Sequence, residues 1–105
     1  MERFAWKAKI KPGMKAEYIK RHDEIWPEMT ELLNEAGIHN YTIWCIGDEL
    51  FGYYEAEKGV QLAADIQGNS PVVAKWNIHM QDLMEMVKDP ETDRPLQLEQ
   101  VFYHK

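Results

Sequence analysis

The chain has 105 residues and carries 18 Asp and Glu against 12 Lys and Arg, a formal net charge of -6. That length fits one domain and not two, and a diffuse acidic balance argues against nucleic acid or an anionic membrane surface as the main partner. Hydrophobic residues make up 45% of the chain, which marks a globular protein, and four Trp, five Tyr and three Phe demand an explanation: an aromatic core, or rings that bind something.

Phe4, Trp6, Ala8 and Ile10 alternate with Ala5, Lys7 and Lys9, the period of a β-strand. Lys11-Pro12-Gly13 ends it in a turn. From Met14 to Glu35 the period is helical, with Tyr18, His22 and Trp26 at i, i+4, i+8 and Met29, Leu32 and Leu33 continuing the apolar stripe. Pro27 interrupts this helix or opens a second one, because it lacks an N–H and crowds the preceding turn. Gly37 is placed to end it.

His39 to Ile46 reads as a second strand, with Tyr41, Ile43 and Cys45 on one face and Thr42, Trp44 and Ile46 on the other. Both faces are largely apolar, so neither is expected to be freely solvated. A turn at Gly47-Asp48-Glu49 joins it in a hairpin to a third strand, Leu50 to Glu57. Gly59 to Ile66 suits a short helix, Ser70 an N-cap and Pro71 the first helical position. Val73, Trp76, Met80, Leu83, Met84 and Val87 then share one stripe, which predicts a helix over Val72 to Val87. Lys88 to Pro95 is a polar loop, and Leu96 to Tyr103 alternates as a last strand.

The order is βαββαβ, the ferredoxin-like α+β plan, in a single domain spanning residues 1–105. Two helices cover only one sheet face, so a homodimer is expected to cover the other. Cys45 is the only cysteine, which rules out an internal disulfide and favours a reducing, cytoplasmic setting; it is expected to be a buried small hydrophobe. No uninterrupted apolar stretch has the length of a signal peptide core or a membrane span.

His22 is the titratable group of most interest, with Tyr18 one helical turn before it and pointing the same way. Two readings stand side by side: an ordinary helix-surface histidine, and a general acid–base group. Tyr41 is either core or a hydroxyl aimed into a cleft. Trp76 is core by default, yet a tryptophan face also holds the C–H patch of a sugar, and the neighbouring Asn77 has an amide to bond a hydroxyl. The four histidines are scattered without metal-ligand spacing, so no metal is expected, and no phosphate-cradling or dinucleotide motif implies a cofactor.

Arg21-His22-Asp23-Glu24-Ile25-Trp26-Pro27-Glu28 resembles the R-H-x-x-I-W-P-E signature of the L-rhamnose mutarotases. The resemblance continues through His39-Asn40-Tyr41-Thr42-Ile43, Leu50-Phe51-Gly52, the segment around Trp76, and the tail with Val101-Phe102-Tyr103. It implies a cytoplasmic, cofactor-free isomerase that interconverts the anomers of a free sugar, on a dimeric ferredoxin-like barrel. It further implies that His22 donates the proton to the ring oxygen and that Tyr18, Tyr41 and Trp76 contact the sugar. One position departs from the family: Asn77 stands where a second tryptophan is common. L-fucose or another aldose is therefore kept as an alternative substrate. A cofactor-free monooxygenase and a non-catalytic ligand-binding dimer are the alternatives from other classes, because one fold hosts many functions.

Overall fold

The computed structural model describes residues 1–105. The chain runs β1 (Glu2–Ile10), α1 (Lys15–Asp23), α2 (Pro27–Glu35), β2 (Ile38–Ile46), β3 (Glu49–Ala56), α3 (Val60–Gly68), α4 (Pro71–Met80) and β4 (Met84–Met86). The four strands form one antiparallel sheet in the order β2-β3-β1-β4. This is the expected ferredoxin-like arrangement, with each helical crossover broken in two.

Local chemistry explains both breaks. Trp26 is extended, at φ -66° and ψ 139°, because the residue before a proline avoids the helical region, and Pro27 then opens α2. Gly37, at φ 73°, follows the C-cap Ala36 and turns the chain into β2. Ahead of α4, the Ser70 hydroxyl accepts from the backbone N–H groups of Val72 and Val73, and Pro71 occupies the first turn.

The helices cover one sheet face. Trp6, Ala8 and Ile10 of β1 and Leu50, Tyr54 and Ala56 of β3 are buried there. Ile38 of β2 is buried with them, and Tyr41, Ile43 and Cys45 point to the same side, although 38 and 41 have opposite parity. A β-bulge between His39 and Thr42, with Asn40 left-handed at φ 50°, absorbs the extra residue. On the far face, Thr42, Trp44 and Ile46 lie beside Phe51 and Tyr53 with no helix over them. Trp44 remains 67% exposed and Ile46 69%.

Three expectations are corrected. The fourth helix stops at Met80, where the Arg21 guanidinium takes the His79 carbonyl and the Asp82 carboxylate and so satisfies the end of α4. The fourth strand is then Met84–Met86, paired with Ala8–Ile10, while Leu96–Tyr103 forms no regular strand. The tail still follows β1: Leu98 N–H donates to the Ala5 carbonyl, and the Arg3 guanidinium lies 3.9 Å from the centroid of the Tyr103 ring. Third, Cys45 is exposed, because β2 is an edge strand and Cys45 lines the open space under α1 instead of a packed core.

No helix is long and apolar enough to cross a membrane.

Candidate active site

A cavity of about 390 Å³ lies between α1 and the sheet. Lys15, Tyr18, Ile19, His22 and Asp23 descend into it from α1, and Tyr41, Ile43, Cys45, Leu50 and Ile10 line it from the strands. The α1 residues recur at i, i+3, i+4, i+7 and i+8, which is one helix face. A face of this kind normally packs flat on a sheet; here it stands over an open space with an apolar floor. Such a volume is within the range of small-molecule sites.

His22 is half-buried, and its Nδ1 lies 3.1 Å from the Tyr18 carbonyl oxygen. A carbonyl only accepts, so Nδ1 carries the proton and the neutral imidazole keeps its lone pair on Nε2. Burial lowers the His22 pKa below the ordinary imidazole value, outweighing the carbonyl contact and the nearby Asp23 charge, which act the other way. His22 therefore rests neutral at pH 7, with Nε2 as a base. The ring is held in aromatic contact, with its centroid 4.3 Å from that of Tyr18 and 5.5 Å from that of Trp76.

Two hydroxyls share the cavity with it. Burial raises the Tyr18 pKa, and proximity to Tyr41 and Cys45 adds to the effect; burial likewise raises Tyr41. Both phenols stay protonated at neutral pH and serve as hydrogen-bond donors, not as bases. The Tyr41 hydroxyl accepts a hydrogen bond from the Trp6 indole N–H at 2.8 Å.

Tyr18, His22 and Tyr41 thus line one cavity; helical spacing joins the first two, and the family resemblance adds Tyr41. Trp76 is not a lining residue. It is buried behind His22, and Trp26 packs against it with centroids 5.1 Å apart and planes at 90°. The Trp76 ring stands edge-on to the histidine that faces the cavity. Asn77 lies one helical step further round α4, exposed, and outside the cavity lining, so the structure does not join it to the other four. Lys15 and Asp23 at the rim were not singled out from the sequence, although their spacing from Tyr18 and His22 places them on the same face. No three His, Cys, Asp or Glu side chains come together as a metal site.

A family model described as L-rhamnose mutarotase matches residues 3–104. The chain belongs to the L-rhamnose mutarotase family. A curated L-rhamnose mutarotase from Brucella anthropi is 44% identical over 85 residues, 79% of this chain and 78% of that protein. The one from Jannaschia sp. is 38% identical over 91 residues, 87% of this chain and 88% of its own length. The crystal structure of an L-rhamnose mutarotase from Formosa agariphila superposes with a TM-score of 0.79 at 32% identity, covering both chains in full. Tetracenomycin F2 cyclase from Streptomyces glaucescens, at a TM-score of 0.69 and 16% identity, shares the fold alone.

Proposed function

We propose that this mutarotase-family chain exchanges the α and β anomers of L-rhamnose in the cavity under α1, with His22 as the acid–base group and Tyr18 and Tyr41 as hydroxyl donors to the sugar. The observation that carries the reading is the Nδ1 contact to the Tyr18 carbonyl, which leaves a basic Nε2 on the opposite side of the ring. Ring opening requires that the anomeric O1–H lose its proton, that the C1–O5 bond break toward O5, and that O5 gain a proton. Both oxygens are bonded to C1, so one imidazole reaches both. Nε2 takes the O1 proton as the C=O bond forms. The C1–O5 electron pair leaves on O5, where a tyrosine hydroxyl stabilises the developing charge. The imidazolium then protonates O5. Rotation about C1–C2 and the reverse sequence close the ring on the other face. Each proton is accounted for, and His22 returns to its neutral state.

Positioned acid–base groups typically give about 10²- to 10⁴-fold, enough for a reaction that already proceeds in water. Saturation-transfer NMR on L-rhamnose tests the assignment. The wild type should accelerate anomer exchange, and His22→Asn should lose about 10²- to 10⁴-fold of that acceleration with its melting temperature retained. An unchanged rate in the variant removes His22 from the mechanism; acceleration of L-fucose without L-rhamnose reassigns the sugar.

We further propose a cytoplasmic homodimer in which a second copy covers the sheet face bearing Trp44, Ile46, Phe51 and Tyr53. An apolar sheet face left open is a mark of an interface, and Val101 and Phe102 of the tail project exposed as well. Sedimentation at micromolar concentration should give a dimer that Trp44→Lys weakens; a monomeric wild type overturns it. The lone exposed thiol of Cys45 suits a reducing compartment.

A further inference from the structure

We propose that Trp6 is a positioning residue: its indole N–H fixes the Tyr41 hydroxyl with its proton turned toward the sugar, so that Tyr41 meets the sugar as a donor. The proposal rests on the mutarotase reading above and deepens it. An indole N–H can only donate, so in the 2.8 Å contact the Tyr41 oxygen must accept. The hydroxyl proton is thereby directed away from Trp6. Tyr41 gives it to no protein acceptor: Ile10, Ile43 and Leu50 have none to offer, and the polar lining groups of Tyr18, His22 and Asp23 make no hydrogen bond to it. The open side of the cavity is where an acceptor can enter, and a ring or hydroxyl oxygen of a sugar fits.

The sheet is built to permit this contact. Trp6 is on β1 and Tyr41 on β2, and β3 lies between those strands. Pairing sets Trp6 opposite Gly52, and Gly52 opposite Ile43, in one row across the sheet. Strands are about 4.8 Å apart, so the indole must cross over β3 to reach β2. It does so at Gly52, where a Cβ would stand 2.0 Å from Trp6 Cε2 and 2.3 Å from Nε1. The glycine sits at an ordinary φ, so what it supplies is room for the ring. Trp6 itself is buried, which holds the donor in place.

The test is a double-mutant cycle on L-rhamnose anomer exchange with Trp6→Phe, Tyr41→Phe and the pair. Each single variant should lower kcat/KM about three- to tenfold, the range for one lost hydrogen bond, and the pair should be no worse than Tyr41→Phe alone. Replacing Trp6 by 3-benzothienylalanine, which keeps the bicyclic shape and lacks the N–H, should reproduce the loss with the melting temperature unchanged. The acid limb of the pH profile, set by His22, should keep its midpoint in all of these. If the losses multiply in the double variant, or the benzothienyl protein is fully active, Trp6 acts by packing alone and the proposal falls while the mutarotase reading stands. A wild type that does not accelerate exchange overturns both.

Discussion

Two apolar clusters lie on the helical face of the sheet, and they close in different ways. Toward α3, Ala36, Ala56 and Ala63 have no exposed surface, and their small size lets α2, β3 and α3 come together around Ile38 and Tyr54. Phe4 stacks on Tyr54 with centroids 5.1 Å apart and planes within 14°. Toward α1 all but Ala8 are large, Trp6, Ile10, Tyr18, Leu50 and Trp76 among them. Large side chains hold α1 away from the sheet, and the space they frame is the cavity. Tyr18 roots the helix below, and Arg21 ties it to the end of α4 through Asp82 at 2.9 Å and the His79 carbonyl, with Glu17 at 3.0 Å on its own helix. The filled end supplies dense packing, whereas the open end keeps apolar surface free for a ligand at the cost of contacts it would otherwise make.

That contrast can be broken by substitutions whose effects should separate. Tyr54→Ala opens the filled end and should cost about 3–5 kcal/mol in chemical denaturation, the range for emptying a buried aromatic site. A loss below about 1 kcal/mol would mean that this end is not the packed one. Acidification should act at the open end. Because the folded pKa of His22 is lowered, its neutral form and the exchange activity persist above about pH 6.5 and fail as the pH drops through the lower, folded value, about tenfold per unit beyond it. The small stability contribution of the neutral ring follows the same sign: present above the unfolded pKa and lost below the folded one. A pH–rate profile with its acid limb above pH 6.5 would contradict the burial of His22. Tyr18→Phe is the gentlest change. It removes one hydroxyl from the cavity and leaves the ring, so activity should fall about three- to tenfold while the melting temperature holds. A fall in melting temperature without loss of activity would place that hydroxyl in the core rather than in the site.

Much of the fold could be read locally. The break at Pro27, the turn at Gly37 and the Ser70 cap each depend on a residue and its immediate neighbours, and each is where the residue types put it. Met84-Glu85-Met86 was not legible as a strand. Three residues are too few to show a period, and Met84 also continues the helical stripe from Trp76 and Met80. What ends α4 is Arg21, sixty residues earlier in rough terms, and no local pattern announces it. The site divides in the same way. Tyr18 and His22 share a helix face, so that pair follows from periodicity; both faces of β2 are apolar, so alternation leaves Tyr41 open and it joins them through the family resemblance. Trp76 behind His22, the exposure of Cys45 and the Trp6–Tyr41 bond depend on which strands and helices are neighbours, and a one-dimensional pattern does not carry that.

The bulge at Asn40 sets the phase of β2. Before it, Ile38 faces the filled cluster; after it, Tyr41, Ile43 and Cys45 face the cavity, one residue out of step with Ile38. The two ends of the molecule therefore read the same strand in two frames. Deleting one residue at the bulge would merge the frames. Tyr41 would then stand opposite Tyr54, and Tyr41, Ile43 and Cys45 would keep facing the helices in phase with Ile38. Deleting a residue beyond the bulge would instead turn Trp44 and Ile46 inward and Ile43 and Cys45 outward, so the site depends on residue count after Tyr41 in a way that no single substitution along β2 would reveal.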